Sequence, residues 1–139
     1  MRAPPVRRGL ALAGLLLLLA GCKAREEGPP CYPVRGKVLF RGKPAADVDV
    51  FFHPAGDADP RAARPHGKTD AAGEFRLTTR RLDDGAPEGE YLVTFFWAAA
   101  QDVEEPPDRL QGKYQDPKAS RWRVRVKPGD NDLEPFRLE

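Results

Sequence analysis

Apolar and polar residues alternate along most of the chain after position 33, and this pattern predicts short β-strands. Segment 34–41 has a period of two, with Val34, Val38 and Phe40 on one face, and segment 48–52 repeats the pattern. Residues 41–44, Arg-Gly-Lys-Pro, supply a turn between the two segments. The pair therefore predicts a β-hairpin.

The second half of the chain continues the strand pattern, with loops at 53–68, 83–89 and 98–120. Segment 91–97 is β-branched and aromatic on both faces, which predicts a central strand. A final strand over 133–138 has Pro135 where alternation calls for an apolar residue, which indicates a bulge. Without any helical run, these segments predict an all-β, seven-stranded, antiparallel, immunoglobulin-like sandwich.

The N-terminus has a different pattern. Arg2, Arg7 and Arg8 precede an apolar run over 9–20 that is too short to span a bilayer. The run ends in the small residues of a cleavage site, so residues 1–21 are predicted to be a signal peptide removed on export.

The four residues at the end of this run, Leu19-Ala20-Gly21-Cys22, resemble the lipobox of bacterial lipoproteins. The resemblance implies cleavage between Gly21 and Cys22, a diacylglyceryl group on the Cys22 sulfur, and an acyl chain such as palmitate on the new amine. It also implies that the membrane is a partner through this lipid anchor, in the cell envelope. Lys23 follows, rather than aspartate, which favours the outer membrane or the periplasmic face. The alternative is an ordinary signal peptide, with an incidental cysteine.

Removal of the leader changes the charge balance. The whole chain has 23 Lys plus Arg and 21 Asp plus Glu, and three of the bases lie in the leader. The mature chain is therefore nearly neutral, which argues against a nucleic-acid partner. Its length suits one domain with one core, which we place at residues 34–139.

Residues 22–33 are predicted to be the lipidated cysteine and a proline-rich tether. In a polyproline-like state, residues 23–33 reach roughly 35 Å, at about 3.1 Å per residue. If Cys22 is acylated, Cys31 has no partner within the chain and is either a free thiol or an intermolecular one. A Cys22–Cys31 disulfide would count against lipidation.

The sequence offers little catalytic chemistry. His53 and His66 lack metal-site spacing, and Asp57 with Asp59 lacks the other ligands of a calcium loop. Ser120, the only serine, has no histidine motif beside it, and the carboxylates over 102–108 suit a solvated loop. We therefore predict no enzyme, cofactor or metal.

The order of several short segments carries a second resemblance. Gly36-Lys37-Val38, Gly42-Lys43-Pro44, 48–54, 69–77 and Gly89-x-Tyr91 together resemble the carboxypeptidase regulatory-like, or transthyretin-like, domain. Segments 113–120 and 126–131 resemble small lipoproteins of planctomycete bacteria. The resemblance implies a prealbumin-like sandwich. It also raises a transthyretin-like hydrolase as an alternative, although the chain ends Phe-Arg-Leu-Glu and lacks the C-terminal motif of those enzymes.

Two binding functions follow as hypotheses. The first is a non-catalytic sandwich that binds or organises something at the cell envelope, through its loops or its sheet edges, with an envelope protein or a glycan as possible partners. The second is a carbohydrate-binding module. The aromatic candidates for ligand contact are Tyr114, Trp97 and Trp122, with core packing as the alternative. The basic stripe of an edge-like strand could bind a polyanion or be a solvated face that discourages edge pairing; it comprises Arg121, Arg123, Arg125 and Lys127.

Overall fold

The computed structural model describes residues 2–5, 28–56 and 63–139. These residues form eleven strands and a single turn of 3-10 helix, Pro117–Ala119. The strands are β1 (Cys31–Tyr32), β2 (Val34–Phe40), β3 (Lys43–Pro44), β4 (Val48–Pro54), β5 (His66–Lys68), β6 (Glu74–Arg76), β7 (Ala86–Pro87), β8 (Gly89–Trp97), β9 (Arg123–Val126), β10 (Asn131–Asp132) and β11 (Phe136–Leu138).

Two sheets pack face to face. One has the order β5-β4-β8-β9, and the other is built around β2, which pairs with β3, β6, β10 and β11. Alternate residues of each strand point between the sheets, and the Phe95 ring meets the Phe136 ring across the sandwich at 5.3 Å. The fully buried side chains include Val34, Val38 and Leu138 from one sheet and Val50, Phe52, Val93 and Phe95 from the other. The predicted all-β sandwich is confirmed.

The predicted hairpin between the first two long strands is wrong. β2 pairs only briefly with β3, through Leu39 opposite Pro44, whereas β4 pairs with β8 over its whole length. Each of the two long strands has one apolar face, and each buries that face in the shared core from a different sheet. A period of two identifies the apolar face of a strand but not the sheet to which the strand belongs.

Buried polar contacts fix the crossover from β3 to β4. The Thr69 hydroxyl donates to the Ala45 carbonyl oxygen at 2.6 Å and accepts from the Val48 amide at 2.9 Å. Thr69 is 2% exposed, and Asp47 adopts a left-handed backbone, with a φ of 61°. The crossover is therefore held by hydrogen bonds that replace lost solvation.

The last strand departs from the predicted antiparallel arrangement, because β10 and β11 both run parallel to β2. Asn131 lies opposite Val34 and Phe136 opposite Val38, so the C-terminal chain has one extra residue over this interval. The extra residue falls in the segment that contains Pro135. The bulge predicted there is confirmed.

The structure bears out the positions predicted for the strands of the other sheet. β8 lies between β4 and β9, and Val93, Thr94 and Phe95 are all buried. β9 lies at the edge. In contrast, the predicted loop 53–68 contains the end of β4 and all of β5.

Cys31 and Tyr32, which the sequence assigns to the tether, form β1 and pair with Ala86 and Pro87. Gly85 allows this pairing, because its φ is +88° and a Cβ there would overlap the Tyr32 carbonyl oxygen. The sheet structure therefore begins before the predicted domain start at Val34.

Candidate functional site

The outer faces of the two sheets meet in a groove of about 1030 Å³. The sheets join where β5 approaches β6, through backbone hydrogen bonds between His66 and Thr78 of 3.0 and 2.8 Å. The polar residues of each strand point outward here, because the apolar residues that alternate with them fill the core. The strand residues that line the groove with outward side chains are Arg35, Lys37, Asp49, Phe51, His66, Lys68, Glu74, Arg76 and Asp132.

Ion pairs hold two of the basic side chains. Arg35 forms a fork with Asp132, with Nε–Oδ1 at 2.9 Å and Nη2–Oδ2 at 3.3 Å. Lys68 Nζ lies 3.5 Å from Asp49 Oδ1. Exposed pairs of this kind add little stability, about 0–1 kcal/mol, but they limit where these charges can point.

Arg76 lies directly opposite Arg35 on the paired strands β6 and β2. Like charges in this position are destabilising. Asp132 compensates Arg35, whereas among the described residues no hydrogen bond or ion pair involves the Arg76 side chain. The Arg76 guanidinium is therefore available to donate hydrogen bonds to a ligand in the groove.

Apolar side chains border the same groove. Phe51 is 36% exposed and Leu82, from the loop between β6 and β7, is 87% exposed. The groove thus combines exposed apolar surface with charged donors and acceptors, as small-molecule sites do.

The three aromatic candidates from the sequence lie elsewhere, and none of them lines the groove. Trp97 is 9% exposed, and the Arg109 guanidinium lies 3.9 Å from its ring centre. Trp122 packs edge-on against Phe95 at 5.0 Å. These rings pack against the core or under charged side chains, which is the alternative that the sequence left open.

Tyr114 lies beside Trp122, with ring centres 5.4 Å apart. Its hydroxyl donates to the backbone oxygen of Glu139 at 3.3 Å and accepts from the Glu139 amide at 3.1 Å. The Arg121 guanidinium lies over both rings, 4.6 Å from the Trp122 centre. The structure therefore brings two of the three aromatic candidates together, in a packed cluster.

The basic stripe lies on the edge strand β9 and its flanks. Arg123 and Arg125 both pair with Glu90, at 3.1 and 3.6 Å. Arg121 donates to the Arg137 carbonyl oxygen at 3.1 Å. Part of the stripe is thus neutralised within the domain, while Lys127 remains exposed.

His53 and Ser120, two of the polar residues considered for catalysis or metal binding, make structural hydrogen bonds. His53 Nε2 lies 2.8 Å from Thr94 Oγ1, and burial, with a contribution from Arg64, lowers the pKa of His53. Ser120 Oγ donates to the Val93 carbonyl oxygen at 2.6 Å. Within the described ranges, no three His, Cys, Asp or Glu residues cluster as a metal site would need.

Cys31 is a half-buried free thiol. Arg80 Nη2 donates to its sulfur at 3.2 Å. Burial, followed by the nearby Asp84 carboxylate, raises the pKa of Cys31. A reactive cysteine needs the opposite shift.

Four residues that the sequence singled out, Gly21, Cys22, Asp57 and Asp59, lie outside the described residues. In the part of the chain that is described, no helix is long and apolar enough to cross a membrane.

Sequence reasoning missed the groove. Its residues come from five strands and three loops that are far apart in the chain, and within its own segment each of them looks like an ordinary strand or loop position. Only the pairing of β2 with β6 brings Arg35 opposite Arg76. The sequence shows which residues of each strand are polar and face outward, but it does not show which strands are neighbours, and the groove depends on that order.

No protein-family model and no curated protein matches the chain. Among solved structures it is similar to a DUF3823 family protein from Parabacteroides merdae, with a TM-score of 0.43 and 15% identity over 77% of this chain and 45% of that one. It is also similar to a 9R-lipoxygenase from Cyanothece PCC8801, with a TM-score of 0.43 and 14% identity over 78% of this chain and 16% of that one.

A third similar structure is the dioxygenase domain of a dioxygenase carbohydrate-binding protein fusion from Streptomyces sp. SirexAA-E. Its TM-score is 0.42, with 22% identity over 82% of this chain and 83% of that one. This chain spans less than half of the first two structures. Similarity at this level assigns no activity or ligand to the chain.

Proposed function

We propose that this chain is a lipid-anchored protein of the cell envelope whose β-sandwich binds a ligand in the outer groove and carries out no catalysis. The groove is the observation that carries the binding function. Its walls present the Arg76 guanidinium, which makes no hydrogen bond or ion pair with the described residues, and exposed apolar surface at Phe51 and Leu82. Ligand sites are typically concave surfaces that combine apolar side chains with a few polar groups, and this groove has both.

The anchor is supported by the sequence. A short apolar run followed by Leu-Ala-Gly-Cys places Cys22 where a lipoprotein is acylated. Two or three acyl chains, at about 0.8 kcal/mol for each buried methylene, hold a domain stably at a membrane. Intact-mass analysis of membrane-extracted protein should show a chain that starts at Cys22 and carries acyl groups, and a Cys22→Ser form should accumulate uncut. A soluble, unmodified mature chain would overturn the anchor.

A binding role without catalysis fits the state of the candidate nucleophiles. The Ser120 hydroxyl already donates its hydrogen bond to the Val93 carbonyl oxygen. The raised pKa of Cys31 keeps its thiol protonated at neutral pH. Nucleophilic catalysis requires an adjacent base that removes the proton.

Photo-crosslinking in the native envelope tests the groove. A crosslinking amino acid at Phe51 should capture a defined partner or ligand, whereas the same group at Val103 should not. Val103 is the matched control because it is an exposed apolar residue, 52% accessible, that does not line the groove. Capture at Phe51 should fall when Arg76 is changed to Ala. Equal labelling at both positions would count against the groove.

A carbohydrate ligand is a second candidate, and Phe51 favours it. An exposed aromatic ring flanked by the charged pair Asp49 and Lys68 offers a stacking surface with hydrogen-bonding groups beside it. Calorimetric titration with envelope oligosaccharides should show binding that Phe51→Ala removes and Val103→Ala leaves unchanged. If no oligosaccharide binds, this candidate fails while the binding role stands.

A further inference from the structure

The loop between β6 and β7 presents an apolar side chain close to the point where the chain enters the fold. Leu82 is the most exposed large hydrophobic residue of the described ranges, at 87%. In the same loop, Arg80 Nη2 donates to the carbonyl oxygen of Pro29 at 2.6 Å. The loop and the entering chain are thus fastened together.

Hydrogen bonds fix the shape of this loop. The Asp84 carboxylate accepts from the backbone amides of Thr79, Arg80 and Arg81 at 2.7, 3.1 and 3.0 Å. The Asp83 amide donates to the Thr78 hydroxyl at 2.9 Å. Leu82 therefore projects from a preorganised turn, and burying it elsewhere would cost little additional ordering.

The chain between the proposed anchor and this loop is short. Residues 23–27 separate Cys22 from Gly28, and six Cα–Cα steps span at most roughly 22 Å. The Arg80 contact with Pro29 and the pairing of β1 with β7 attach residues 29–33 to the domain, so these residues do not belong to the predicted tether. The greatest distance between the proposed anchor and the start of the described domain is therefore about 22 Å, rather than the roughly 35 Å of the eleven-residue tether predicted from the sequence.

We propose that this loop is a membrane-contact surface and that Leu82 enters the interfacial region of the bilayer to which Cys22 anchors the chain. The inference rests on the proposed acylation of Cys22. An exposed leucine on a rigid turn has an apolar side chain that the membrane interface can bury, as it buries the apolar faces of amphipathic helices about 5–10 Å deep.

Quenching by brominated lipids tests this contact. The acylated mature protein is reconstituted into phosphatidylcholine vesicles as Leu82→Trp, with Val103→Trp and the unchanged protein as matched controls. Intact mass first verifies the acyl groups. We expect the emission of Leu82→Trp to shift to shorter wavelength and to be quenched by lipids brominated near the headgroup. Val103→Trp should give no more quenching than the native tryptophans of the unchanged protein.

The outcomes separate the two proposals. Acylated protein with equal quenching of Leu82→Trp and Val103→Trp overturns the membrane contact and leaves the anchor standing. A blue shift without quenching by brominated lipid also overturns it, because protein or ligand then covers Leu82. Protein without acyl groups at Cys22 overturns both proposals.

Discussion

The Asp108 carboxylate organises the long irregular segment 98–120. Its Oδ1 accepts from the backbone amides of Trp97 and Leu110 at 2.9 and 3.0 Å. Its Oδ2 accepts from the Gly112 amide at 2.9 Å and from Gln115 Nε2 at 3.0 Å. Since Leu110 is buried, the carboxylate holds the segment against the end of β8.

The change Asp108→Asn keeps the size of the side chain and removes one acceptor. The new NH2 group takes the position of Oδ2, where it meets the backbone N–H of Gly112, and two donors cannot bond to each other. Gln115 can rotate its side-chain amide and offer its oxygen to the new NH2 group, but the backbone of Gly112 cannot adjust in this way. The bonds that remain go to a neutral acceptor. Because a hydrogen bond to a charged group contributes about 1.5–3 kcal/mol, we expect a loss of about 2–3 kcal/mol in the free energy of unfolding. For a domain of this size, that corresponds to roughly 10 °C in Tm.

The pH dependence provides a second readout. Burial alone would raise the pKa of Asp108, but hydrogen bonds from Trp97, Leu110 and Gly112 lower it below its ordinary value. A lowered folded-state pKa means that the stabilisation is complete above the unfolded pKa of about 3.9 and is lost as the pH falls through the folded value. The difference between wild type and Asp108→Asn should therefore shrink below about pH 4.

Urea unfolding followed by tryptophan fluorescence measures both effects. Asp102→Asn is the matched control, because it removes one negative charge from the same segment at an exposed position. We expect this control to change the free energy of unfolding by less than about 0.5 kcal/mol. If Asp108→Asn unfolds like Asp102→Asn, or if its deficit is constant down to pH 3, the carboxylate does not organise the segment.

Three further predictions concern buried contacts. Thr69→Val removes the hydroxyl that bonds to Ala45 and Val48, and should lower the free energy of unfolding, measured by urea titration, by about 2 kcal/mol. Thr69→Ser keeps the hydroxyl and should retain most of the wild-type stability. Gly85→Ala should release β1 and speed the reaction of Cys31 with a thiol reagent, whereas Gly42→Ala, at a positive φ of +79° with open space around it, should not. Because the pKa of Cys31 is raised, its alkylation at pH 7 should be slower than that of a free cysteine and should accelerate towards alkaline pH.

Local pattern was sufficient for much of the fold. The two-sided apolar composition of 91–97 identified the central strand, and the misplaced Pro135 identified the bulge. Both are properties of a single segment, which the sequence displays directly. The error over the hairpin arose because β2 and β4 bury equivalent faces, so nothing local distinguishes pairing within a sheet from packing across the sandwich.

The candidate site was less accessible to sequence reasoning. Trp97, Trp122 and Tyr114 attract attention as large aromatic residues, yet large aromatic residues are also what a sandwich core requires. No local pattern marks Arg76 as a candidate site residue, because its role depends on Arg35, which is distant in the chain and lies opposite it in the sheet. A site on the surface of a sheet depends on which strands pair, and a single sequence does not show which distant segments pair with each other.

One loop connects the groove to the entry of the chain. Leu82 borders the groove, while Arg80, two residues earlier, holds Pro29. Because Asp84 fixes the loop, the Leu82 wall of the groove keeps a set distance from the end of the tether. If the acyl anchor and the Leu82 contact both hold, the groove opens beside the lipid headgroups. A ligand that fills it must then approach along the membrane surface, which favours ligands that are themselves attached to or concentrated at that surface.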